Sequence, residues 1–177
     1  MSVLGIDEIT FGAADLAKCR QFFLDWGLNL VSEAAQELVF ESLNGCRVVV
    51  AHSDKPGLPA GIEPDPTLRE VVWGVASPAD LQLFRSRIAD RPGFVDGVER
   101  IGCTDPNGLA VRLQVSRKRQ LQLDCAKTNT WSERPRVNQP SPAYERAQPI
   151  EVGHVVFFVT DLAATSAFYR EIGRAHV

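Results

Sequence analysis

No apolar run in this chain of 177 residues approaches the roughly 20 that a membrane span requires. The opening MSVLGIDEITF has no basic stretch followed by an apolar core, so it does not read as a secretory leader. The expected compartment is the cytoplasm, with no membrane partner. Charge of either sign is nearly balanced, at a net -3 and a pI near 5.6, which argues against a nucleic-acid partner. The one basic cluster, Arg117-Lys118-Arg119, is expected to be a solvated exit from a domain. The four cysteines, Cys19, Cys46, Cys103 and Cys125, are scattered. They form no CxxC pair and have no histidine at zinc spacing, so neither a zinc site nor a disulfide framework is read. Cys19 falls on the apolar stripe of an expected helix, where a reduced thiol acts as a small hydrophobe.

What the chain does contain is a strand-then-helix unit that occurs twice. Glu8-Ile9-Thr10-Phe11-Gly12-Ala13-Ala14-Asp15-Leu16-Ala17 runs on to Phe22-Phe23 and Gly27. His154-Val155-Val156-Phe157-Phe158-Val159-Thr160-Asp161-Leu162-Ala163 runs on to Phe168-Tyr169 and Gly173 at the same spacing. Repetition at a fixed offset means a duplicated structural unit. The replacement of Glu8 by His154 suggests that one copy is scaffold and the other bears metal chemistry.

Period-two alternation places a strand over residues 6–13, with Ile9, Phe11 and Ala13 on one face and Glu8, Thr10 and Gly12 on the other. A helix from Asp15 carries Leu16, Cys19, Phe22, Phe23 and Trp26 at helical spacing, and Gly27 ends it. Strands follow near 28–32, 37–42 and 46–52, with Asn44-Gly45 as the hairpin turn. After a Pro- and Gly-rich loop over 54–67 the order recurs. A strand spans 70–76, and a helix is capped by Ser77-Pro78-Ala79-Asp80. Further strands lie near 97–102 and 109–115, joined by the turn Asp105-Pro106-Asn107-Gly108. Two strand-helix-three-strand units thus fill residues 3–117. Residues 118–149, with Pro135, Pro140, Pro142 and Pro149, read as a linker, in which Trp131 and Tyr144 are expected to pack against the domains. A third unit begins at Ile150.

Paired modules of this order, together with IDEITFGAADLAKCRQFF, REVVWGVASPADLQLF, the turn DPNG and GHVVFFVTDLAATSAFYRE, resemble the vicinal oxygen chelate superfamily. That superfamily includes glyoxalases, bleomycin-resistance proteins and extradiol ring-cleavage dioxygenases. The resemblance implies an α+β fold: paired βαβββ modules forming a curved mixed sheet, followed by the start of a second such domain. Its metal ligands stand on the concave face, on the first strand of each module and the last strand of the domain. In the first domain those places fall on Glu8, Glu70 and Arg112. A guanidinium is a permanent cation with no lone pair to give, so a metal-free first domain is expected. There Glu8 or Glu70 pairs with Arg112 and closes the cavity.

A metal-free domain, a linker and a His-bearing second domain resemble the two-domain extradiol dioxygenases. In these, two His and one Glu hold Fe(II) and leave positions for a catecholate and O2. The implied function is that of a fragment of an Fe(II)-dependent enzyme cleaving a catechol-like diol, with an aromatic substrate and O2 as partners and a homo-oligomeric parent. Mn(II), Zn(II) and Ni(II) are alternative metals. Only the first ligand carries over, onto His154, and the others are expected beyond residue 177; no catalytic or cofactor-binding residue is assigned. Val156 and Phe158 share the face of His154, either lining an apolar pocket or packing. His52 is read as structural, and His176 lies in the final segment. The alternatives are a glyoxalase- or isomerase-like metalloenzyme, or a metal-free small-molecule binding module of the bleomycin-resistance type.

The third unit, residues 150–177, stops after its first helix, short of the hundred or so residues that close a core. Residues 172–177 are read as an artefactual tail, and the fragment as truncated. The segment from Ile150 is then expected to be loosely held, exposing Phe157, Phe158, Phe168 and Tyr169. The competing reading has it docked on the first domain or on another chain.

Overall fold

The computed structural model describes residues 3–123, 128–138, 140, 143–156 and 158–172. The first module comprises β1 (Val3–Ala13), α1 (Leu16–Asp25), β2 (Asn29–Ala34), β3 (Glu37–Glu41) and β4 (Arg47–His52). The second comprises β5 (Thr67–Val75), α2 (Pro78–Ile88), β6 (Val95–Asp96), β7 (Arg100–Thr104) and β8 (Ala110–Val115), and α3 (Leu162–Glu171) follows the linker. All eight strands form one curved mixed sheet in the order β2-β3-β4-β1-β5-β8-β7-β6. The order reads the same outward from the β1–β5 seam, which is antiparallel, while β1–β4 and β5–β8 are parallel. This is the expected pseudo-twofold pair of βαβββ modules. The two-residue β6 is the shortest element and was not separately expected.

Local chemistry sets the element ends. The Asp15 carboxylate accepts from the Lys18 amide at 3.0 Å, and the Ser77 hydroxyl from the Asp80 amide at 3.1 Å, each satisfying an orphan donor of a first helical turn. In the Asp105–Gly108 turn one oxygen of Asp105 accepts from the amides of Asn107 and Leu109 at 2.8 and 2.9 Å. Gly108 sits at φ +93°, where only glycine is at ease. Alternation along the strands sends Ile9, Val48, Val50 and Val71 to one face with Phe40 and Leu38, and Val75, Val111 and Leu113 to the same face of the second module with Phe84 and Ile88.

The third unit departs from expectation in two ways. Among its described residues 150–156 and 158–160 there is no strand; the segment instead lies against the first module. The Leu43 and Asn44 amides donate to the carbonyls of Pro149 and Ile150 at 3.0 and 3.1 Å. The second departure corrects the expectation of a loose segment. Helix α3 docks on the second module, with Phe168, Tyr169 and Ile172 buried in its core cluster. Polar contacts fix the docking: Asn107 Nδ2 donates to Thr165 Oγ1 at 3.0 Å, and Tyr169 OH donates to Asp105 Oδ2 at 3.2 Å. Phe158 is exposed as expected; Phe157, His176 and Cys125 lie outside the described residues.

A further expectation is corrected. Trp131 and Tyr144 stand largely in solvent rather than packed against the domain, so little burial offsets the cost of ordering them. The basic cluster is solvated as expected at Arg117 and Arg119, and all three of its side chains also form ion pairs. Arg117 pairs with Glu99 at 2.9 Å, Lys118 with Glu151 at 3.1 Å and Arg119 with Glu41 at 3.5 Å.

Candidate functional site

The concave face of the sheet carries the polar site. Glu8 and Thr10 on β1 alternate with Ile9 and Phe11 of the helix-side core, so they project away from the helices. Glu70 lies opposite Thr10 on β5, and Arg112 lies beside Val72 on β8. The three residues expected to meet on this face do so. The Glu70 carboxylate takes Arg112 Nε at 3.2 Å and Arg100 Nη1 at 3.5 Å, and Glu8 Oε1 takes Arg100 Nη1 at 3.0 Å. Glu8 therefore pairs with Arg100, a residue that the sequence reading left unplaced. Its signal was present: Arg100 precedes Gly102 by two residues on an expected strand, so both share one face. Gly102 is glycine because a Cβ there would lie 2.3 Å from Arg112 Cδ, which leaves the guanidinium nowhere else to run.

The network continues below this cluster. Arg100 Nη2 donates to Gln114 Oε1 at 2.9 Å, and Gln114 Nε2 donates to the buried Asp7 at 3.1 Å. Asp7 also accepts from Ser116 Oγ at 2.8 Å and the Arg117 amide at 2.9 Å. Burial pushes the Glu70 carboxyl above the ordinary carboxylate range, against the opposing pull of Arg112 and then Arg100. The ion pairs do not close the cavity. A space of about 360 Å³ remains above them, walled by Val39 and Val49 and roofed by the loop Lys55–Pro59.

This donor set does not fit a metal. Both carboxylates are already engaged by guanidiniums, and arginine offers no lone pair. Among the described residues no three His, Cys, Asp or Glu side chains converge as ligands. His154 does not join Glu8 and Glu70. It lies exposed on the other side of the sheet, lining a second cavity of about 590 Å³ with Ile9, Phe11, Phe22, Trp26 and Val50. Val156 and Phe158 do not share that space; they border a smaller cavity of about 300 Å³ with Phe11 and Ile62. His52 ends β4, where Nδ1 accepts from the Asp54 amide at 3.2 Å, in keeping with a structural role. Cys19 is half-buried, while Cys46 and Cys103 are buried free thiols whose pKa burial raises, the behaviour of packing residues.

Comparison with solved structures sets this geometry in context. A catechol 2,3-dioxygenase matches 98% of this chain at 16% identity and a TM-score of 0.65, and the chain spans 59% of its length. The H200Q variant of homoprotocatechuate 2,3-dioxygenase from B. fuscum matches 67% of the chain at 19% identity with a TM-score of 0.50, covering 34% of that protein. The Mn(II)-bound glyoxalase from Novosphingobium aromaticivorans, at 20% identity over 68% of this chain and 42% of its own, has a TM-score of 0.48. No family model matches the chain, and no curated protein matches it in sequence. The fold is that of the vicinal oxygen chelate superfamily.

Proposed function

We propose that this chain, with its vicinal oxygen chelate fold, is the amino-terminal part of a two-domain extradiol dioxygenase acting on a catechol-like diol with O2. Residues 3–117 are its scaffold domain, 118–149 the linker and 150–177 the opening of the metal-bearing domain. The observation that carries the reading is the match to catechol 2,3-dioxygenase across 98% of the chain, which takes in the linker and α3 as well as the paired modules. The ion-pair web supports it from the other side. Glu8, Glu70 and Arg112 stand at the ligand positions of the first domain and, with Arg100, form a self-satisfied structural network, so iron chemistry falls to residues beyond it. In this reading His154 is the first of three ligands, and Fe(II) is the metal.

The test is to express the coding sequence continued past Val177. A second His opening the next module and a Glu after a further turn are expected. So is an Fe(II)-dependent yellow ring-opened product from catechol that His154→Ala abolishes. The chain of 177 residues alone, loaded anaerobically, should show no turnover and only weak iron binding by calorimetry. Robust turnover by this chain alone, or a continued protein indifferent to His154, would sink the proposal. One observation favours a second reading: the 360 Å³ cavity remains open above its charged floor, as a metal-free small-molecule binding module would require.

A further inference from the structure

The duplicated unit allows each residue of α1 to be matched to one of α3, and the two helices meet different fates. Phe22 corresponds to Phe168, Phe23 to Tyr169, Asp25 to Glu171 and Trp26 to Ile172. On α3, Phe168 and Ile172 are 3% and 2% exposed because the second module covers them. On α1, Phe22 and Trp26 are 57% and 61% exposed, and the helix buries no residue fully. Their rings stack on one another at 6.3 Å and form part of the wall of the 590 Å³ outer cavity. Two large aromatics held in water at the positions where the sister helix docks form an interaction surface without its partner.

What covers α3 shows what kind of surface fits. The second module offers an apolar floor that includes Phe84 and Ile88, and two arginines at its edge. Arg91 pairs with the Glu171 carboxylate and lies 5.7 Å over the Phe168 ring, and Arg87 Nη1 donates to the Glu171 carbonyl at 3.3 Å. Asp25 supplies α1 with the same acidic end next to its aromatics. We propose that α1 docks through Phe22 and Trp26 on the outer face of a second paired-module domain, an apolar face edged by basic residues like the one that holds α3. A second copy of this chain in its present state is not the occupant, since its equivalent face already carries α3. The proposal rests on the reading that the chain continues into such a domain, and it has the first helix of each domain contact the other, α1 through its outer face while Leu16, Cys19 and Phe23 stay on the first module.

The second module of this chain is itself the available probe. The double variant Phe168→Asp, Ile172→Asp should free α3 and bare the face beneath it, with a change in Trp73 fluorescence because Tyr169 lies edge-on to that indole at 6.5 Å. Mixed with the unaltered chain, this opened variant should form a one-to-one complex by analytical ultracentrifugation. Phe22→Ser with Trp26→Ser in the unaltered partner should weaken the complex by about tenfold or more, as loss of two aromatic anchors does. Should the opened variant not fold by circular dichroism, Asn107→Ala with Tyr169→Phe removes the polar latch while sparing the core and the basic edge, and the same titration applies. A folded, opened chain that stays monomeric beside the unaltered chain overturns the proposal, as does a complex indifferent to Phe22 and Trp26. Neither iron nor a diol enters this experiment, so its failure is distinct from failure of the ring-cleavage reading.

Discussion

Glu70 is the residue where competing terms are most finely set. Two guanidiniums favour its charge, yet removal from water outweighs them and raises its pKa. A raised folded-state pKa means that the folded chain holds the proton more tightly than the unfolded one. The stability tied to Glu70 is then fully present below the unfolded carboxylate value, about 4.3, and is lost as pH rises through the folded value. Glu70→Gln imitates the protonated form. It should melt at or above the temperature of the unaltered chain at pH 7, by about 1–3 °C, and the difference should vanish toward pH 4; a clear loss of stability at pH 7 would show that the ion pairs dominate. Arg100 offers the opposite case. Its removal leaves Glu8 without its cation and Glu70 with only one. Arg100→Ala should cost about 2–4 kcal/mol by urea unfolding, whereas Arg117→Ala, whose pair with Glu99 is exposed, should cost under about 0.5 kcal/mol. The concave positions of Glu8, Glu70 and Arg112 were legible because the resemblance implied that face for them and strand alternation holds each to one side of its strand. Arg100 was missed because its strand was located by its turns, without assigning faces.

Among the elements, α3 shows where reading a sequence stops. The stripe Thr165, Phe168, Tyr169 and Ile172 announces a buried helix face, but an amphipathic stripe does not name what buries it. The sequence reading preferred an absent sheet for α3 and held docking on residues 3–117 as its competitor, and the fold takes the latter course, on the second module through Asp105, Asn107, Arg87 and Arg91. No local pattern encodes that pairing, because Asn107 and Thr165 are brought together only by tertiary structure. The strand expected after His154 failed for a related reason: an extended segment needs partners for its backbone polar groups, and here the Pro149 and Ile150 carbonyls accept from the Leu43 and Asn44 amides while the Glu151 carboxylate accepts from Asn44 Nδ2 and Lys118 Nζ. If α3 is integral to the fold, Phe168→Ala should lower unfolding free energy by about 3–5 kcal/mol. Phe158→Ala, at a position 89% exposed, should fall within about 0.5 kcal/mol of neutral.

At the scale of the whole molecule, the pseudo-twofold makes two similar outer faces and treats them unequally. Element order and turns were enough to read the paired modules, since hairpin signals and helix caps are local; the inequality of the faces was not, since it depends on which distant segment returns to which module. The second module receives α3 and buries its face, whereas the first receives only the extended residues 149–154 and keeps an open cavity. Folding of residues 3–117 and seating of α3 should therefore be one cooperative event. Each of Phe168, Tyr169 and Ile172 contributes about 1.5–3 kcal/mol of apolar burial, and a melting shift of about 2–4 °C attends each kcal/mol in a domain of this size. A chain ended at Pro149 should thus melt roughly 10 °C or more below the full chain. It should also bind an apolar dye such as anilinonaphthalene sulfonate, because Phe84, Ile88 and Leu113 lose their cover. If the shortened chain kept the melting temperature and stayed dark with the dye, α3 would be a passenger on the second module, and the unequal treatment of the two faces would carry no energetic weight.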